Sequence, residues 1–170
     1  AEVIAREWAK LDPQGALAWA KNLEGDDRSD AVSSVIGQMA MEDPAAAASE
    51  VASLDPDDQT RAYGEVAEQW ARNDLESIEA WIATLSGESK QEAMSEMIEV
   101  MAGDDPRGAA DRIATMQPGG ERDRAIEDVA EAWGRENPAE AADWLVQQET
   151  GEADDAMRRI MGNWAEQDQD

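Results

Sequence analysis

The side chains that could do chemistry in this chain are almost all carboxylates. Asp and Glu together number 40 among 170 residues, whereas histidine and cysteine are absent. Catalysis by imidazole or thiolate, disulfides, and the usual zinc and haem ligation are therefore excluded. Among 40 carboxylates close pairs arise by chance, so paired acids do not by themselves indicate acid–base catalysis. We predict a protein that is not an enzyme and that carries no cofactor.

Two acidic segments, EGDDRSD at 24–30 and DPDDQ at 55–59, resemble calcium-binding loops only in composition. Neither has the Asp-x-Asp-x-Asp-Gly spacing, nor the glutamate at the twelfth position that closes an EF-hand loop. No glycine-rich phosphate loop is present either. We expect these carboxylates to lie in solvated loops and to cap helices, and we predict no specific metal site.

The formal charge of the chain is 14 − 40 = −26. A charge of this sign repels nucleic acid and anionic membranes, so neither is an expected partner. No run of 18 apolar residues is present, and we expect no insertion into a membrane. The main prediction is a scaffold that binds a basic or amphipathic protein or peptide segment. The alternative is a salt-adapted or cation-binding acidic surface protein, or a polyanion mimic, which the presence of only three lysines also suits.

A repeated motif organises the acidic chain. The stretch WAKLDPQGALAW (8–19) has a tryptophan at each end and Asp-Pro in the middle, and its pattern recurs throughout the sequence. The anchor position of the repeat is occupied by Asp12, Asp43, Asp74, Asp105, Asn137 and Asp168, at spacings of 31, 31, 31, 32 and 31 residues. An alanine recurs nineteen residues after the anchor, at Ala31, Ala62, Ala93 and Ala156, with Ala125 shifted by the one-residue insertion. A period of this length is typical of helical arrays.

Each repeat is predicted to form two helices. Apolar residues recur at helical spacing before the anchor, and the residue that precedes proline is driven out of the α region. The anchor is therefore expected to end one helix and to act as N-cap of the next, which begins at proline. The predicted helices are approximately 1–11, 13–23, 28–41, 44–54, 58–72, 75–85, 88–102, 106–116, 121–136, 138–148 and 153–167.

The pattern W-x3-D-P-x-A-A-x2-W resembles a class of short helix-turn-helix repeats of bacterial proteins, and more broadly tetratricopeptide and Sel1-like arrays. The resemblance covers nearly the whole chain. It departs from the tetratricopeptide repeat in its period, which is about 34 residues there, and it lacks the glycine-rich Sel1 signature. The resemblance implies a scaffold that binds peptides or proteins, and it carries no catalytic residue to this chain.

Alternate repeats are more alike than neighbouring ones, so the pairwise period is about 62 residues. Four residues before the anchor the side chain is always apolar, which predicts a core position occupied by Trp8, Met39, Trp70, Met101, Trp133 and Trp164. Seven residues after the anchor stand Trp19, Glu50, Trp81, Arg112 and Trp144. A fully buried position would not accept a lone charge, so this second set must reach solvent or a groove. These tryptophans are predicted to cover gaps between repeats or to form a row of ligand anchors, and to be more exposed than the first set.

We predict an all-α fold, namely a single α-solenoid domain over residues 1–170 with about five and a half helix pairs. The domain can be a segment of a longer array. The chain starts at Ala1 rather than at methionine, which fits either removal of a signal peptide or an excised segment. Neither the compartment nor the oligomeric state is therefore predicted.

Overall fold

The structure is a computed structural model that describes residues 1–148 and 153–167, without the side chains of 153–155, 163 and 165–167. Within these ranges it consists of helices joined by short turns and contains no strand, which confirms the predicted all-α fold. The helices are α1 (Glu2–Ala9), α2 (Pro13–Ala20), α3 (Gly25–Glu42), α4 (Pro44–Val51), α5 (Pro56–Ala71), α6 (Leu75–Ile82), α7 (Gly87–Ala102), α8 (Pro106–Ile113), α9 (Gly120–Glu136), α10 (Pro138–Leu145) and α11 (Ala153–Gln167).

The N-capping role predicted for the anchor is confirmed at five positions. Each anchor side chain accepts a hydrogen bond from the backbone N–H three residues later, at 2.9–3.2 Å. These anchors are Asp12, Asp43, Asp74, Asp105 and Asn137. The predicted sixth anchor, Asp168, lies outside the described residues. Since each cap satisfies an amide that the helix leaves free, the motif has a structural role: it ends one helix and begins the next.

The capping role predicts the effect of changing a single anchor. Asp43→Ala is expected to lower the free energy of unfolding by about 1 kcal/mol, because the N–H of Ala46 loses its acceptor. Asp43→Asn is the matched control and is expected to change stability little, since asparagine caps equally well. Urea denaturation followed by circular dichroism measures both variants. Equal losses in the two would contradict a pure capping role.

The even-numbered helices from α2 to α10 are shorter than the sequence predicts. Each spans eight residues, whereas the pattern predicts eleven. After α2 the backbone bonds tighten, as Asn22 N–H donates to Trp19 O at 3.0 Å and Leu23 N–H donates to Ala20 O at 3.1 Å. Bonds of this three-residue spacing form a 3₁₀-type turn. The last three residues of each predicted helix therefore lie in a tight turn.

The two acidic segments are not loops, which corrects the sequence expectation. They form the first turns of α3 and α5, where carboxylates stabilise the positive end of the helix dipole. Arg28 in α3 links the two turns: its Nε donates to Asp58 Oδ2 at 2.9 Å, and its Nη2 pairs with Asp55. Ser29 Oγ donates to the other oxygen of Asp58 at 3.2 Å. The buried Asp58 carboxylate is thus fully partnered, and it joins one repeat to the next.

The described helices fall into two compact units, residues 1–96 and 97–170, and α7 runs across the division. In the first unit α1 packs against α3 and α3 against α5. α2 packs against α1 and α3, α4 against α3 and α5, and α6 against α5. The core between these helices includes six buried residues, namely Leu17, Val32, Ile36, Val51, Val66 and Ile78.

The second unit is built on α9. This helix packs against α8, α10 and α11, and α10 also packs against α11. Its core includes Ile98, Ile113, Ile126, Val129, Leu145 and Ile160. The alanine that recurs after each anchor is buried in both units, at Ala31, Ala62, Ala93, Ala125 and Ala156. Helices with a methyl group at the contact can approach closely, so this small residue sets the spacing between neighbours.

Candidate functional site

The two sets of tryptophans contact each other. Ring centroids lie 6.1 Å apart for Trp8 and Trp19, and 5.5 Å apart for Trp70 and Trp81. In the second unit, the rings of Trp133 and Trp144 are 5.9 Å apart. All three pairs are tilted, which is a favourable arrangement for aromatic rings. Each pair connects a helix before the anchor to the helix after it, so both members take part in packing.

The predicted order of tryptophan exposure is wrong for Trp8 and Trp164. Trp8 is 38% exposed and Trp164 is 40% exposed, although both were expected in the core. Trp19, Trp81 and Trp144 are half-buried instead of standing out from the surface. Trp8 is exposed because α1 packs only against α2 and α3 within its unit, which leaves its other side uncovered there. Trp133 is buried as expected, and Trp70 is half-buried.

The charged members of the predicted ligand row are half-buried as well. Gln14 Nε2 donates to Glu50 Oε1 at 3.4 Å, which connects α2 to α4. Arg112 Nη1 donates to Gly108 O in its own helix at 3.1 Å. Trp19, Glu50 and Trp81 belong to the first unit, whereas Arg112 and Trp144 belong to the second. Their role in binding stays a prediction.

A groove that the sequence did not predict lies on odd-numbered helices, whereas Trp19 and Trp81 lie on even-numbered ones. It encloses about 390 Å³ between α1, α3 and α5 in the first unit. On α3 it is lined by the small residues Ser33, Ser34 and Gly37, of which Ser33 and Gly37 are buried. Met41, 58% exposed, follows Gly37 by one helical turn. Small side chains on the middle helix between longer ones on its neighbours leave this space open.

The arginines that line the groove are engaged by carboxylates. Arg6 pairs with Glu2 along α1 at 2.5 Å. Arg61 on α5 pairs with Asp30 on α3 at 2.6 Å, so this pair bridges neighbouring helices. Both arginines are already neutralised within the groove. The charge that remains in the groove is therefore that of a carboxylate without an arginine partner.

Glu65 on α5 is that carboxylate. Among the described residues its side chain makes no hydrogen bond or ion pair, and it lies across Gly37. A Cβ at position 37 would be 3.1 Å from Glu65 Oε2, so glycine makes room for the carboxylate. Burial raises the pKa of Glu65, with a further contribution from Glu68. Arg61 and Arg6 lower this pKa, although neither forms an ion pair with Glu65.

The second unit has an acid at the same repeat position. Asp128 precedes its anchor by nine residues, as Glu65 does, and it is half-buried on α9. Burial raises its pKa to about 6, and Glu99 is the next largest cause. Its neighbours Glu127 and Glu131 also raise this pKa, but both pair with Arg159, at 2.9 and 3.5 Å. Each unit thus has a partly buried acid at this repeat position that makes no hydrogen bond or ion pair among the described residues.

The raised pKa of Asp128 predicts a pH-dependent stability. The folded chain holds this proton more tightly than the unfolded chain, so the contribution of Asp128 to stability falls as pH rises from about 4 to 6 and stays lower above that range. Asp128→Asn is expected to raise the melting temperature at pH near 7.5 and to change it little near pH 4. Asp143→Asn, an exposed acid on α10, is the control. An equal gain at both pH values would contradict the assignment.

The groove was not predictable from the pattern of single helices. The one available signal is the position nine residues before the anchor, where Ser34, Glu65, Glu96 and Asp128 are polar in the middle of a helix. Polar residues at this position indicate a helix surface that is exposed to solvent. They do not show which side chains become ion-paired, because the partners come from the neighbouring repeat.

No protein-family model matches this chain, and no match is found among the curated proteins or the solved structures. Among the residues that the structure describes, no helix combines the length and apolar content needed to cross a bilayer. Those residues also include no group of three or more Asp or Glu side chains placed to hold a metal ion.

Proposed function

We propose that this chain is a non-catalytic α-solenoid scaffold that binds a basic or amphipathic protein segment on the face formed by α1, α3 and α5. The packing within each unit supports the solenoid, since the helices from α1 to α6 and from α8 to α11 contact near neighbours in sequence. The ion pairs between helices support it too. Asp30 and Arg61 are 31 residues apart, and Glu127 and Arg159 are 32 apart, so each pair spans one repeat.

The observation that carries the proposal is the charge of the groove. Its lining contains two arginines and four carboxylates, and Arg72 outside the lining pairs with Glu68, so the local balance is 3 − 4 = −1. Both arginines are paired, which leaves no free cation there to attract an acidic ligand. The chain as a whole adds a charge of −26, which attracts a cationic partner over longer distances. A basic segment is the ligand that complements both features.

The tryptophan row is the rival binding face within the same proposal. Trp19 and Trp81 would have to contact a ligand while packing against Trp8 and Trp70. The half-buried rings of Trp19 and Trp81 retain some exposed edge. Glu50 occupies the same position in the repeat between them. The packing contacts favour a structural role for these rings, so the proposal places the ligand on the groove face.

Isothermal titration calorimetry of the whole chain tests the proposal. The probe is an acetylated, amidated dodecapeptide of alternating lysine and serine, and the control replaces each lysine by glutamate. We expect the lysine peptide to bind with a Kd below about 1 mM and more weakly as salt rises, and the glutamate peptide not to bind. Binding of neither peptide would overturn the proposal. A melting temperature that rises steeply with salt would then favour a salt-adapted surface protein.

A further inference from the structure

We propose that the groove between α1, α3 and α5 takes one cationic side chain of the bound segment, with the Glu65 carboxylate as its counter-ion. This inference rests on the proposed function and adds to it a specific subsite. The ligand chemistry is an alkyl stem that ends in an ammonium or guanidinium group. Lysine and arginine side chains both provide it.

The geometry separates a place for the charge from a place for the stem. Glu65 Oε2 lies over Gly37, where the surface of α3 carries no side chain to cover it. Met41 lies one turn further along the same helix and exposes its apolar side chain to the groove. Long basic side chains bury their methylene stem on apolar surface and direct the charged end to a polar site. A stem against Met41 therefore brings its cation toward Glu65.

Charge explains why the site selects a cation over an anion. Binding a phosphate or carboxylate would require Arg6 or Arg61 to leave Glu2 or Asp30. Binding a cation needs no such exchange, because Glu65 has no partner among the described residues. The carboxylate is partly removed from water, and a charge-assisted hydrogen bond is stronger there than at an open surface. One lysine or arginine side chain would thus neutralise the unpaired charge of Glu65.

The corresponding position of another repeat supports the Glu65 subsite independently. In the second unit the same position carries Asp128, again partly buried. Its acidic neighbours Glu127 and Glu131 are occupied by Arg159, whereas Asp128 makes no hydrogen bond or ion pair among the described residues. The same repeat position thus carries a partly buried acid without a partner among the described residues in each unit.

The test compares Glu65→Gln with Glu42→Gln in calorimetric titrations of the whole chain with the lysine–serine peptide. Glutamine keeps the size of Glu65 and removes its charge, so the variant is expected to fold with an equal or higher melting temperature. Glu42 is exposed at the end of α3 and does not line the groove, so its variant controls for the loss of one negative charge. We expect Glu65→Gln to weaken binding at least about tenfold, and Glu42→Gln to weaken it less than about twofold.

The outcomes separate the subsite from the proposed function. If the unaltered chain binds the peptide and Glu65→Gln binds equally well, the subsite is wrong and the scaffold function stands. If both variants lose the same affinity, general charge explains the binding and the subsite is again overturned. If the unaltered chain does not bind, the proposed function fails and the subsite with it.

Discussion

Replacing Trp81 by alanine is expected to lower the free energy of unfolding by about 3 kcal/mol, close to the effect of Trp70→Ala. The two rings lie 5.5 Å apart, and Trp81 also packs on Tyr63 at 5.7 Å. Removing one ring leaves a gap that the other two line, so the loss combines transfer of apolar surface with the cavity it leaves. Chemical denaturation of both variants measures this effect.

A double substitution makes the test sharper. Because Trp70 and Trp81 share one contact, the variant that lacks both should lose less stability than the sum of the single losses. Leu11→Ala, at a largely exposed position, serves as control and should change stability by less than about 0.5 kcal/mol. If Trp81→Ala were as mild as this control, the ring would not be a packing element. The interpretation of Trp81 as a ligand anchor would then regain support.

Replacing Ala62 by leucine is expected to lower the free energy of unfolding by about 2–3 kcal/mol. Ala62 is fully buried on α5, a helix that contacts α3, α4 and α6. Three additional carbon atoms at this contact must push neighbouring helices apart or force strained rotamers. Because the same alanine recurs in every repeat, the substitution disturbs the spacing on which the stacking of the helices depends.

The control for this prediction is Ala18→Leu. Ala18 is an exposed helical residue of the same unit, and leucine is nearly as good a helix former as alanine. Thermal unfolding of the two variants is compared by circular dichroism. A melting temperature of Ala62→Leu as high as that of Ala18→Leu would contradict the tight approach of α5 to its neighbours.

The local part of the fold could be predicted from the sequence because it depends on residues close in the chain. Asp43 and Pro44 together specify where α3 ends and α4 begins, and the capping bond spans only three residues. The lengths of the even-numbered helices were overestimated, since apolar spacing does not distinguish a last α turn from a 3₁₀ turn. The acidic starts of α3 and α5 lie earlier than the sequence predicts, because clustered aspartates are also typical of loops.

The candidate site depended on contacts between repeats, and the sequence pattern does not contain them. The exposure of Trp8 depends on which helices flank α1, and the pairing of Trp8 with Trp19 depends on how α1 and α2 meet. Glu65 is one of 40 acids in the sequence. It becomes distinct only because Gly37, from the preceding repeat, lies beneath it while adjacent acids are paired. Such distinctions require the packed structure.

The most direct test of this account is an amide NMR titration of the 170-residue chain with the lysine–serine peptide. If the groove binds the peptide, the largest shifts belong to the groove residues Ser34, Gly37 and Glu65, with small changes at the indole N–H groups of Trp19 and Trp81. Shifts confined to those indole groups, with none at Gly37, would contradict binding in the groove and place the ligand on the tryptophan face.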